Sequence, residues 1–169
     1  MNVALDIGAH ESSGEVEDLK GRYLISLKLI ERLHRLLLDV IKDEFDRMGR
    51  SDVNGVQALL LYNIGDSEVT AGELKSRGYY LGSNVSYNLK KLVEAGYIHH
   101  ERSTTDRRSV RVSLTDKGQA GSEIVNQLYD RQLKSLQKVG GIGGDELESL
   151  NKSLIRLERF WTDQIRYQL

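Results

Sequence analysis

Apolar residues recur three or four apart at both ends of the chain, and the middle breaks into shorter units. From about Leu19 to Met48, Tyr23, Leu27, Ile30, Leu33, Leu37, Ile41 and Phe45 mark one helical face. Leu24, Leu36, Leu38 and Val40 widen that stripe beyond what one neighbour would cover, and Gly49 ends it. Asn54-Gly55-Val56-Gln57 is a capping box, in which the Asn54 side chain accepts from the backbone at Gln57 and Gln57 reaches back. It opens a short buried helix through Ala58, Leu59, Leu60, Leu61 and Tyr62 that stops near Gly65. Thr70-Ala71-Gly72-Glu73 is a second box, opening a brief helix that ends at Gly78. After a turn to Gly82, Ser83 caps a third helix that runs to Ala95 and closes at Gly96.

Beyond Gly96 the period changes. Residues 97–102 read as a strand, and Thr104-Thr105-Asp106-Arg107-Arg108 as a polar turn. Val110, Val112 and Leu114 alternate with Ser109, Arg111 and Ser113, the pattern of a half-buried strand. Thr115 caps another long helix with Ile124, Leu128, Leu133, Leu136 and Val139, which the glycines at 140, 141, 143 and 144 break. A last helix from about Asp145 carries Leu147, Leu150, Leu154, Leu157, Trp161 and Ile165. The pattern predicts a mainly α fold with a small β-hairpin wing. Residues 1–18 form a flexible tail, 51–114 a winged helix-turn-helix, and 19–50 with 115–169 a flanking helical dimerisation region.

In a winged helix-turn-helix the second helix of the motif enters the major groove. At 100° per residue, Val85, Leu89 and Leu92 share one face of the 83–95 helix. The opposite face carries Ser83, Asn84, Ser86, Tyr87, Lys90 and Lys91, which suit base edges and phosphates. An ordinary solvated face has the same composition. The charge distribution bears on the choice. The chain as a whole has a formal net charge of −1. Residues 75–111 nevertheless carry eight basic against three acidic side chains, so the rest of the chain is acidic. A basic segment in an acidic chain is the footprint expected of a nucleic-acid contact, and its arginines cluster around the hairpin tip. A winged-helix module that binds another protein is the alternative, but a more apolar face and a less basic hairpin would suit it better. RNA binding lacks an aromatic stacking platform.

Composition removes other classes. The absence of cysteine excludes disulfides, thiolate metal sites and cysteine-based sensing. The residues contain no apolar run of about 20 that could span a bilayer, and Met1 to Gly14 lacks the build of a signal peptide, so a cytoplasmic location is expected. His99 and His100 alternate along a strand and point to opposite faces, which argues against a shared metal. His34 reads as a packed or interface residue, or as the border of an effector cavity. There is no phosphate loop, nucleophile elbow or HExxH, so neither an enzyme nor a bound cofactor is expected.

The run from Ser83 to Ile98 resembles the recognition helix and exit of the MarR family of regulators. So do Asp106-Arg107-Arg108 at the hairpin tip and Leu114-Thr115-Asp116-Lys117-Gly118 beyond it. Val53-Asn54-Gly55-Val56-Gln57 stands where that family often has Leu-Thr-Pro-Ala-Gln. The resemblance implies a dimeric winged-helix repressor of double-stranded DNA, released by a small organic effector, often aromatic, phenolic or anionic. It implies that Asp106 holds Arg108, which enters the minor groove. Many relatives have Arg where this chain has Tyr87, so a different base preference is implied. The stretch from Tyr79 to Asn88 resembles the LdtR-like subgroup of alphaproteobacterial regulators, which would imply control of cell-wall remodelling genes. In the dimer, Leu147, Leu150, Leu154, Leu157 and Trp161 would meet Tyr23, Leu27 and Ile30, of the partner or of the same chain. An intramolecular core is the alternative, and the pattern does not separate the two. Two long helices flanking a small reading head carry more apolar surface than a monomer can hide, which favours the dimer.

Overall fold

The computed structural model describes residues 12–76, 82–102 and 110–167. The chain divides into two compact units, Met1–Val125 and Asn126–Leu169.

The first unit begins with a 36-residue helix, α1 (Ser12–Arg47). It starts seven residues before Leu19, so residues 12–18 of the expected tail are helical. Val16 and Leu19 prolong the apolar spacing, Glu15 lies in the first turn, and Arg22 pairs with Asp18 at 2.7 Å one turn away. Residues 1–11 of the tail lie outside the described residues. α1 ends where Gly49 takes φ +71°. α2 (Gly55–Ile64) opens with the capping box: Gln57 N donates to Asn54 Oδ1 at 2.8 Å, and Asn54 N to Gln57 Oε1 at 3.0 Å. α3 (Ala71–Ser76) opens with the second box, Thr70 and Glu73 exchanging bonds of 2.6 and 3.1 Å. α4 (Gly82–Glu94) is the third helix of the reading head. The helix begins at Gly82, so Ser83, expected as its cap, lies inside its first turn.

β2 (Ile98–Arg102) and β3 (Val110–Leu114) pair antiparallel, Ile98 opposite Leu114 and Arg102 opposite Val110. A third strand, β1 (Val69–Thr70), pairs with the other edge of β3, giving the order β1-β3-β2. Two residues are too few for a visible period of two, which is why β1 escapes the sequence pattern. Val69 is buried, and the same Thr70 that ends β1 caps α3.

Ile41 and Phe45 of α1 join Ala58, Leu60, Leu61 and Ile64 of α2 in the core, with Val85 and Leu92 of α4, Tyr97, and Val125 of α5 (Asp116–Val139). The sheet adds Ile98, Val112 and Leu114. The fold is mainly helical with a small winged sheet.

The second unit comprises the later part of α5 and α6 (Gly144–Tyr167). Gly141 breaks the chain between them at φ +65°, and Glu146 accepts from Gly143 N at 2.9 Å as α6 begins. None of the described residues of α6 is buried.

Candidate nucleic-acid interface

α4 is divided lengthwise. Val85, Asn88, Leu89 and Leu92 are buried at helical spacing, while Asn84, Ser86, Tyr87, Lys90 and Lys91 are exposed on the opposite side. Tyr87 is 60% exposed. A phenol ring kept in water on the side opposite the buried back has no core to join. The side chain of Ser83 lies outside the described residues. Asn88 is the residue of the buried face that the sequence reading did not place. Its amide type suggests solvent, but it lies three residues after Val85 and four before Leu92. It is buried there, and its Nδ2 donates to Asn84 O at 2.9 Å. Spacing alone, without residue type, would have found it.

The two lysines share a counter-ion. Glu94 accepts from Lys91 Nζ at 3.2 Å and lies 3.9 Å from Lys90 Nζ. The hydrogen bond to Glu94, then its charge, raises the Lys91 pKa above lysine's ordinary 10.5. Lys91 Nζ also lies 6.0 Å from the centre of the Tyr87 ring. The exposed face therefore presents hydroxyl, amide and phenol groups beside two ammonium groups.

Asp106, Arg107 and Arg108 lie outside the described residues. The strands that carry them are in place, with Val112 of β3 packed inward and Val110 near the tip exposed. Arg111, counted with the basic tip on sequence grounds, belongs to the centre of the sheet. It stands opposite Thr70 and Glu101, and its guanidinium lies 3.6 Å from Glu68. Its charge is matched locally by acids that only the three-stranded pairing brings near.

Between α4 and the sheet lies an apolar cavity of about 510 Å3. Leu89 and Val93 line it from the helix and Val110 and Val112 from β3, with Ser86, Lys90, Glu94 and His100 supplying its polar groups. His99 and His100 are both exposed, and among the described residues no group of three or more His, Asp or Glu could hold a metal ion. Among the same residues, no helix is long and apolar enough to cross a membrane.

The residues assigned to dimerisation are all at least partly accessible. Tyr23, Leu150 and Leu154 are exposed; Leu27, Ile30, Leu147, Leu157 and Trp161 are half-buried.

Comparison with known proteins agrees with this architecture. Residues 53–118 match the winged helix DNA-binding domain family. The chain is 35% identical over 148 residues to the exopolysaccharide II synthesis transcriptional activator ExpG of Rhizobium meliloti (strain 1021), covering 86% of this chain and 74% of that protein. Among solved structures, a putative MarR family regulator from Listeria monocytogenes complexed with a 26mer DNA superposes with a TM-score of 0.70 at 19% identity, over 83% of this chain and 91% of that one. The reduced form of MarR from E. coli does so with a TM-score of 0.59 at 25% identity, over 77% and 93%. The winged sheet, the divided α4 and the extended relationship to a transcriptional activator together identify the chain as a member of the MarR family of winged helix-turn-helix transcriptional regulators.

Proposed function

We propose that this regulator works as a homodimer on pseudo-palindromic duplex DNA, α4 reading the major groove and the wing reaching the adjacent minor groove. The observation that carries the reading is the face of α4: Asn84, Ser86, Tyr87, Lys90 and Lys91 stand in solvent over a back of buried Val85, Leu89 and Leu92. Hydroxyl and amide groups read base edges, and ammonium groups hold phosphates. A narrow minor groove concentrates negative potential and would take Arg108, with Asp106 fixing it and Arg107 beside it. The dimer is supported by the terminal helices. Leu24, Leu33 and Leu36 of α1 and Leu150, Ile155 and Phe160 of α6 are exposed apolar side chains on helices that a lone chain leaves open.

Two copies of one head on a two-fold axis read half-sites about one helical turn, roughly 10 bp, apart. The position of that site relative to the promoter sets the sign of regulation. A dimer covering the promoter represses and one bound upstream activates; the Rhizobium relative is named as an activator. The action is non-catalytic and takes place in the cytoplasm, where the DNA is. A small aromatic acid or phenol fits the cavity behind α4, its ring against Leu89, Val93 and Val112 and its anionic group toward Lys90 and His100. Such a ligand lowers DNA affinity only by binding the DNA-incompetent arrangement more tightly.

The test is selection of duplexes from a random pool, followed by footprinting at several salt concentrations. A two-fold repeated site with affinity falling steeply as salt rises supports the reading. No enrichment, or a single unrepeated half-site at saturation, overturns it. Titration of the selected complex with aromatic acids and phenols tests the effector. Compounds that bind the protein yet leave DNA affinity unchanged overturn that part.

A further inference from the structure

The segment after the wing does more than start α5. α4 leaves its last carbonyls without helical partners, as every helix does. Three backbone bonds close its end: Ala95 N donates to Lys91 O at 3.0 Å, Tyr97 N to Leu92 O at 2.9 Å and Gly96 N to Val93 O at 3.0 Å, with Gly96 at φ +78°. The carbonyls of Ala95, Gly96 and Tyr97 all accept from the segment Thr115–Lys117. Ala95 O accepts from Lys117 Nζ at 2.9 Å, Gly96 O from Thr115 Oγ1 at 2.7 Å, and Tyr97 O from Thr115 N at 3.0 Å. Gly118 makes this approach possible, since a Cβ there would stand 2.1 Å from Tyr97 O.

Lys117 has further partners. Its ammonium lies 4.1 Å from the centre of the buried Tyr97 ring and 3.6 Å from Asp52 Oδ2. Asp52 in turn accepts from Tyr97 Oη at 3.1 Å, and Arg50 donates to Lys117 O at 3.3 Å. One ammonium therefore joins the exit of α4, the loop between α1 and α2, and the first turn of α5. A cation at a helix C-terminus also meets the negative end of the dipole.

We propose that Lys117 is a positioning residue for DNA recognition: it fixes the exit of α4, and through it the pitch of the face bearing Tyr87, Lys90 and Lys91. This rests on the reading of α4 as the recognition helix. Lys117 acts through Ala95 and Tyr97, without touching DNA. Asp52 and Tyr97 hold the ammonium in one place, so the α4 exit follows the start of α5.

The experiment compares Lys117→Met, Lys117→Arg and Asp52→Asn in the full chain, using amide hydrogen exchange and binding to the duplex selected by the wild type. For Lys117→Met, exchange accelerates in residues 92–97 and is unchanged in α2. DNA affinity falls about tenfold, the scale of one charge-assisted hydrogen bond discounted for its half exposure. The salt slope stays at the wild-type value, because no phosphate contact is lost. Lys117→Arg, which keeps the charge and the reach, restores both readouts to within about twofold. Unchanged exchange in residues 92–97 overturns the proposal. So does a salt slope reduced by about one, which makes Lys117 a phosphate contact. Acceleration through α2 as well makes its role one of general stability and also overturns it. Should Lys117→Met fail to fold, Asp52→Asn removes one holder of the ammonium and carries the same exchange test. If the wild type retains no duplex, the DNA reading fails while the exchange data still decide the positioning role.

Discussion

The reading head and the terminal helices are built from the same kind of amphipathic pattern, yet they end in different states. In the head, the apolar positions of α2 and α4 are closed off within one chain, Leu60, Leu61, Val85 and Leu92 being almost wholly removed from solvent. In α6, a stripe just as regular buries nothing completely, and Ile165 is 82% exposed. α1 shows both conditions in one helix: Ile41 and Phe45 are buried near its end, while Leu19, Leu24 and Leu33 remain exposed. An amphipathic helix stripe is a demand for a partner, and the difference lies in whether the chain itself meets it. Where it does, the result is a rigid module that can hold a reading face. Where it does not, the helices await a second surface, which the dimer of the proposed function supplies.

The sharpest way to break this comparison is to remove one side of it. Ending the chain after Gly144 deletes α6, and sedimentation is expected to show a monomer. With one head instead of two, DNA affinity falls by about a hundredfold or more, the usual loss when linked sites are separated. A truncated chain that still sediments as a dimer places the interface elsewhere. Single substitutions probe the two regions separately. Leu92→Ala, at the buried back of α4, is expected to cost about 2–5 kcal/mol in denaturant unfolding. Leu154→Asp, on a half-open stripe, is expected to leave the head folded by circular dichroism while shifting the dimer toward monomer. Equal loss of stability from both would mean that α6 is core after all.

Smaller effects sharpen the reading face. Arg108→Ala is expected to weaken binding to most sequences and lower the salt slope by about one charge per affected contact. Tyr87→Ala removes no charge, so the slope holds while discrimination at one or two positions relaxes by about 1–3 kcal/mol. Single-base operator variants at two salt concentrations separate these outcomes. Both proteins are expected to remain dimeric; an unfolded Tyr87→Ala would put its ring on a packed face. The smallest effect concerns pH. The Lys91 pKa is raised, so its charge is complete below 10.5 and is lost only as pH climbs beyond that value. DNA affinity is therefore expected to be flat from about pH 7 to about pH 9. A fall across that window in gel shifts would point to a different titrating group.

Much of the head could be read directly from residue order because its signals are local. Asn54 with Gln57 and Thr70 with Glu73 are reciprocal caps three residues apart, and both form as written. The division of α4 follows from its 100° spacing, and Gly96 takes the positive φ that a helix terminator needs. The helix start at Ser12 was harder to see, because Ser12, Ser13 and Gly14 suit a tail as readily as a helix start and polar residues dominate its first turns. Asn88 was assigned to neither face for a related reason: residue type speaks for solvent while position speaks for burial.

What residue order determined, then, was everything set within a few positions along the chain: caps, periods, turn glycines and the amphipathic halves of each helix. Only the tertiary structure decided the relations between distant segments. β1 exists because β3, some forty residues later, offers Val69 and Thr70 a free edge, and no two-residue pattern could announce that. Arg111, read on the strand but counted with the tip charges, lies beside Glu68 because the middle strand brings those side chains together. The exit of α4 meets Thr115 and Lys117 only because the hairpin folds back and returns the chain to Tyr97. The physical reason is common to all three. Local preferences act through the few bonds a segment makes with itself, whereas strand pairing, charge matching and carbonyl satisfaction depend on groups whose nearness is created by packing.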